Sequence, residues 1–455
     1  MSSITPPTRT RFVLLAFLGS LVFVLYLDRI CIAKAAPQIQ AEMDISTKAM
    51  SWVFGAFTAA YGIFEVLTGG WGDKYGSRRV LTRIVVWWSI FTALTGCVPN
   101  FAWSLGWSIP WGGSSLPVVF NSFAVLLLVR FLFGAGEAGA LPNNARVIAH
   151  WFPLSERSLV QGVVITCMQL GGAAAPVIAA YLIAAVQWRW TFVIFGSIGV
   201  VWSAAFYWWF RDSPENHSAV NAAELDLIRT GRGAMEGGHS AIPWRPALTS
   251  PNIWLLGGIM ACSASVAYMV IFWFSSYLEK ARGVDEIQSG WLTGMILGGG
   301  AVGSMFGGWL SRNIDRWTGE PRWGRSVMGF IYVAAGGAFL AAGVRCESPM
   351  ATSVCAALTC FCIQSQQANW WSTVTAISGK HVGALFGLMN SMGVPAAFYS
   401  PIFLASYVEA RKAEGLVGRA QWDPAISVFA FVLLAGGICW LFVNPARSVV
   451  QANES

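Results

Sequence analysis

Apolar residues in this chain run in long blocks, with little of the short alternation of a soluble sheet or amphipathic helix. Twelve blocks are each about as long as the roughly 20 residues that cross a bilayer core. They lie at 12–35, 50–71, 80–99, 122–147, 158–183, 189–210, 252–279, 287–311, 326–344, 350–377, 382–408 and 425–443. This pattern predicts an all-α integral membrane protein of twelve transmembrane helices. The longest polar stretch, 211–250, divides the blocks six and six. The predicted domains are an N-terminal six-helix bundle at 1–210, a cytoplasmic linker at 211–250 and a C-terminal bundle at 251–455. The linker holds an amphipathic helix around Asn221 to Arg229. Residues 100–121, without Lys or Arg but with several Trp, Gly and Pro, read as an outer loop dipping into the membrane interface, where Trp is favoured.

Composition narrows the class. Of the 455 residues 55% are hydrophobic and 11% charged, against about 25% charged in soluble domains. A surface this poor in charge belongs in lipid. The net charge of +7 comes from basic residues in short loops, which argues against a nucleic-acid partner. With the N-terminus inside, 18 of the 29 Lys and Arg fall on the inner side and nine on the outer, with Arg29 and Arg130 inside blocks. Positive charge is retained on the cytoplasmic side, so both termini are placed in the cytoplasm of a plasma (bacterial inner) membrane. The first block shows no cleavage site and reads as a retained span. The nine cysteines lie mostly in apolar blocks, without zinc-type spacing. No cofactor or metal is called for. No nucleophile elbow, zinc-protease helix or phosphate-binding loop appears, so neither an enzyme nor an ATP-driven pump is indicated.

An internal echo supports two related halves. Residues 69–74 read GGWGDK between blocks two and three, and 307–312 read GGWLSR between blocks eight and nine. Duplicated six-helix halves related by an axis along the membrane normal are a transporter architecture, with the cavity expected between the bundles near mid-membrane.

The candidate chemistry is the charge inside the blocks. Insertion scales put a charge at mid-bilayer at about 2.5–3.5 kcal/mol, and such residues face a bundle interior or a water-filled cavity. Arg130 and Glu137, seven residues apart, share one helix face. Asp28 and Arg29, adjacent, point about 100° apart, so other helices must supply their partners. Arginine binds carboxylate as a bidentate fork and keeps its charge. A carboxylic acid in a low-dielectric site takes a proton at useful pH. Arg29 and Arg130 are therefore candidate substrate ligands, and Asp28 and Glu137 candidate proton carriers. No histidine falls in a block, so coupling would rest on carboxylates.

The first inner loop, Gly69, Asp73, Lys74, Gly76, Arg78 and Arg79, resembles the gating-loop signature of the major facilitator superfamily. Three stretches resemble its anion:cation symporter branch, which includes bacterial sugar-acid symporters, sialin and the vesicular glutamate transporters. They are YLDRICIAKAAP at 26–37, RFLFGAGEAGALPNNARVIAHWFPLSER at 130–157 and KHVGALFGLMNSMG at 380–393. The resemblance covers nearly the whole chain and is similar in detail to proton-coupled galactonate and hexonate transporters. It implies proton sites at Asp28 and Glu137, and substrate contacts at Arg29, Arg130, Tyr26, Tyr61, Gln169 and Asn390, with Trp371 and Ser372 as further candidates. It implies a monomer that imports a small organic anion, such as a hexonate or hexuronate, by proton symport with alternating access. The alternatives are an uncoupled exchanger or facilitator of phthalate, tartrate, phosphate or an acidic amino acid, and, more remotely, a solute sensor. Two departures stand out: Ser311 occupies the place of Asp73 in the second half, and Ser275 stands where relatives often have proline.

Overall fold

A computed structural model of the chain describes residues 6–69, 71–111, 114–229, 244–318, 321–378 and 382–445. Each apolar block forms helix, since in lipid every backbone N–H and C=O must be satisfied within the segment. The first three spans are α1 (Thr10–Met43), α2 (Thr47–Gly69) and α4 (Ser77–Cys97), with the short α3 (Trp71–Tyr75) between the last two. The fourth is α5 (Ser122–Glu137) continued by α6 (Ala140–Trp151). The fifth and sixth run together as α7 (Leu154–Trp209), broken only where Gln187 turns to φ 66, ψ 162. After α8 (Ala222–Arg229) and α9 (Trp244–Thr249) come α10 (Pro251–Arg282), α11 (Glu286–Thr318), α12 (Pro321–Arg345) and α13 (Pro349–Ser378). The eleventh span is α14 (Val382–Ser391) with α15 (Gly393–Ala413), and the twelfth is α16 (Arg419–Phe442). Ser275 lies within α10, which has no interior proline beyond its first turn.

The segment between the third and fourth spans departs from the sequence expectation. Residues 100–121 are not an irregular loop: β1 (Ala102–Trp111) pairs antiparallel with β2 (Ser114–Asn121), from Ala102 opposite Asn121 to Trp111 opposite Ser114. Pro110 and Pro117 masked the strands. In a two-stranded hairpin both strands are edges, where a missing N–H is tolerated. Ser122 fixes its base, accepting from Phe101 N–H at 2.8 Å and donating to the Pro99 carbonyl at 2.8 Å. Asn121 caps α5 by accepting from Ala124 N–H at 3.1 Å.

The chain divides into two compact units, Met1–Gly171 with Tyr181–Gly238, and Gly172–Ala180 with His239–Ser455. In the first, the start of α1 is tied to the polar segment after α7. Arg11 Nε donates to Glu156 at 2.9 Å and its NH1 to Glu224 at 3.0 Å. Glu224, fully buried, also accepts from Thr8 Oγ1 at 2.6 Å and from Thr10 and Arg11 N–H. The amphipathic helix expected here is α8, its first turn capped by Asn221 at 2.9 Å from Glu224 N–H.

In the second unit, glycines at four-residue spacing let two helices meet backbone to backbone. A Cβ on Gly299, Gly303 or Gly307 of α11 would stand 2.5, 2.2 or 2.3 Å from the carbonyls of Ala357, Phe361 and Ser365 on α13. Ser365 Oγ closes the seam by donating to the Gly303 carbonyl at 2.9 Å.

Candidate functional site

Six of the residues singled out from sequence come together in the first unit. Small residues make this possible. A Cβ on Gly134 would stand 2.5 Å from the Phe57 carbonyl of α2, and one on Gly136 would stand 1.9 Å from Trp87 Cδ1 of α4. The FGAGEAG run therefore lets α5 close on α2 and α4, and the glycines flank Glu137.

Arg29 on α1 and Glu137 on α5 form a buried ion pair. Arg29 Nε donates to Glu137 Oε1 at 2.8 Å, and a second guanidinium nitrogen reaches the same oxygen. Glu137 Oε2 has no partner among the described residues. Three aromatic rings surround the guanidinium: Tyr26, Phe57 and Tyr61 have centroids 4.9, 5.1 and 5.0 Å from Arg29 Cζ. Cation–π contacts of desolvated arginine contribute about 2 kcal/mol or more. Tyr61 also donates to Glu65 at 3.3 Å.

Arg130 differs. It is 0% exposed, and Nε, NH1 and NH2 all lack hydrogen-bond partners among the described residues. Its Cζ lies 4.3 Å from the Phe133 centroid and 5.5 Å from Phe57, so Phe57 borders both guanidinium groups. Asp28 is 1% exposed and both its carboxylate oxygens are unpartnered. The indole nitrogen of Trp88 faces it without closing a hydrogen bond. With the acids ionised, two arginines balance Asp28 and Glu137. Protonating the acids leaves positive charge that only an anion can match. A buried group left unpaired carries a desolvation penalty of about 1–3 kcal/mol, more when charged, so the unpartnered atoms of Arg130 and Asp28 lower the stability of the fold.

The signature loop is explained by local geometry. Gly76 sits at φ 82, and a Cβ there would stand 2.7 Å from Asp212 Oδ2. Both facts require glycine. Arg78 N–H donates to Asp212 at 2.8 Å and its Nε to the Tyr207 carbonyl at 2.7 Å, while the guanidinium stacks on Tyr207. Lys74 and Arg79 are exposed, Gly69 ends α2, and the side chain of Asp73 lies outside the described part of the structure. So do Lys380 and His381 of the third signature stretch.

Gln169 is half-buried on α7 in the first unit. Trp371, Ser372 and Asn390 belong to the second unit. Trp371 is exposed with its ring edge-on to Phe386, the Ser372 carbonyl accepts from Arg325 at 3.2 Å, and Asn390 is half-buried. Sequence reasoning missed Glu65, Trp88 and Asn144. The rule that found Asp28 applies equally to Glu65, a carboxylate in an apolar block. It also missed Lys34, counted with the outer loop yet buried within α1.

Among the described residues no set of His, Cys, Asp and Glu is placed to hold a metal ion. The profile of the Major Facilitator Superfamily matches residues 18–401. The chain is 30% identical over 447 residues to a probable sulfoacetate transporter of Cupriavidus necator, covering 98% of this chain and 96% of the relative. It is 26% identical to a probable galactarate/D-glucarate transporter of Bacillus subtilis, over 96% of this chain and 95% of that one. Among solved structures it superposes on a bacterial homolog of the human lysosomal transporter Spinster, inward-facing and occupied. The TM-score is 0.74 at 16% identity, covering 95% of this chain and 96% of the other, a likeness of fold alone.

Proposed function

The chain belongs to the major facilitator superfamily, and on that premise we propose that it imports a small organic anion by proton symport across the bacterial inner membrane. The family and these relatives are transporters, and the relatives carry organic anions. Arg130 carries the reading. A guanidinium that is wholly buried and unpartnered is held ready for a carboxylate or sulfonate, whose geometry its fork matches. Asp28 and Glu137 are the coupling groups. While Glu137 is ionised it occupies Arg29. A proton on Glu137 weakens that pair, and Arg29 joins Arg130 on the anion. Proton and substrate thus favour one another, which is thermodynamic coupling. The aromatic rings around both arginines exclude water and strengthen each charge contact.

In this reading the substrate is a sugar acid such as a hexonate or hexuronate, the protein works as a monomer, and both termini are cytoplasmic. A second reading, exchange of another anion without protons, draws on the same arginines. Counterflow in proteoliposomes decides the substrate class: hexonates, hexuronates, aldarates, sulfoacetate, tartrate, phthalate, glutamate and phosphate compete against one labelled acid. Competition by the sugar acids, lost in Arg130→Met, supports the assignment. Competition by phosphate or glutamate alone points to the second reading.

A further inference from the structure

The fourth span carries a third polar residue on the face of Arg130 and Glu137. Asn144 follows Glu137 by the same seven residues that separate Glu137 from Arg130. The junction between α5 and α6 keeps near-helical backbone. Ala138 is helical, Gly139 lies at φ −82, ψ −3, and Ala138 and Asn143 N–H bond four residues back at 3.2 and 3.3 Å. The stripe therefore continues without changing face.

Asn144 is 2% exposed, and neither amide atom has a hydrogen-bond partner among the described residues. The neighbouring Asn143 donates to the Gly139 carbonyl at 2.7 Å, but its oxygen is unpartnered too. Helix α1 packs against this span. Seven residues inward of Arg29 it reads Leu21, Val22 and Phe23. The nearby Ser20 already donates to the Phe17 carbonyl and accepts from Trp202. Nothing there completes an amide. An unpartnered buried amide costs the fold its desolvation, and leucine would fill the place without that cost.

We propose that Asn144, with the free oxygen of Asn143, forms a neutral polar subsite for the uncharged end of the transported anion, on the inward side of the Arg29–Glu137 pair. Asn144 lies seven residues, about 10 Å of helix, from Glu137, the reach of several hydroxylated carbons extending from an acid group held at Arg29 once Glu137 has released it. An amide offers a donor and an acceptor, and a hydroxyl uses both. Asn144 thus selects polyhydroxylated acids over short acids without hydroxyl groups. The inference rests on the transport reading above and adds a determinant of selectivity to it.

The test compares wild type, Asn144→Leu and Asn144→Gln in two assays, melting in detergent and counterflow of a hexonate against sulfoacetate. The expected result is a melting temperature for Asn144→Leu at or above wild type. Hexonate transport falls at least tenfold, sulfoacetate transport changes less, and Asn144→Gln recovers part of the hexonate rate. A lowered melting temperature overturns the proposal by showing that the amide serves the fold. Unchanged hexonate transport overturns it as well, and leaves the reading of Arg130 intact. Failure of wild type to move any organic anion overturns the transport reading, and the subsite with it.

Discussion

Arg29 and Glu137, 108 residues apart in sequence, share a buried ion pair in which Arg29 Nε lies 2.8 Å from Glu137 Oε1. Removing one partner of such a pair leaves an uncompensated buried charge and costs about 3–5 kcal/mol. Arg29→Met is expected to lower the melting temperature in detergent markedly. An unchanged melting curve would show that the pair holds nothing together.

Arg130 should behave in the opposite way. It has no hydrogen bonds to lose among the described residues, and the loss of its two ring contacts and of its charge opposite the acids is offset by taking a desolvated cation out of a dry interior. Arg130→Met is expected to leave stability unchanged or raise it, while abolishing anion binding by calorimetry. A strongly destabilised Arg130→Met, still able to bind, would make this arginine structural.

Gly76 makes a prediction about the signature loop. Its φ of 82 and the 2.7 Å approach of Asp212 to a would-be Cβ mean that Gly76→Ala must strain the turn and displace Asp212 from Arg78. Residues held in such backbone regions cost of order 1–3 kcal/mol. Gly76→Ala is expected to lower the melting temperature by that order, with Asp212→Ala recovering only the steric part. Full stability of Gly76→Ala would contradict this.

Glu42, at the C-terminal end of α1, gives a pH dependence. Burial pushes its pKa up, but bonds from Arg189 at 2.8 Å and the Trp188 indole at 2.6 Å outweigh that and hold the carboxyl below its ordinary 4.5. A carboxyl depressed in the folded state contributes stability above its unfolded pKa and loses it as pH falls through the folded value. The melting temperature is therefore expected to drop below about pH 4.5, with a smaller drop in Glu42→Gln. Parallel curves for the two proteins would rule Glu42 out.

Much of this could be read from the sequence because lipid imposes a simple rule. Blocks of apolar residues had to be helices, and the charges within them had to face inward, which located Arg29, Arg130, Asp28 and Glu137. Seven-residue spacing placed Arg130 and Glu137 on one face. Which acid would pair with which arginine was not legible, since it depends on how the helices pack, with Gly134 and Gly136 bringing α5 against α2 and α4. The hairpin at 102–121 was hidden because its prolines sit on edges. The break between the fifth and sixth spans was legible as the gap between blocks at 184–188, but its form was not, because a non-glycine residue at φ 66, Gln187, leaves no mark in composition. Asn144 was passed over because a lone asparagine in an apolar span usually finds a helix partner, and only the packed structure shows that this one does not.

The most direct test of the account is internal acidification in proteoliposomes loaded with a pH-sensitive dye, on adding an outside sugar acid, for wild type and Glu137→Gln. The account predicts substrate-dependent acidification in wild type and none in Glu137→Gln, which still exchanges labelled substrate across the membrane. Equal acidification by both proteins would remove Glu137 from the coupling. Exchange without acidification in wild type would contradict proton symport itself.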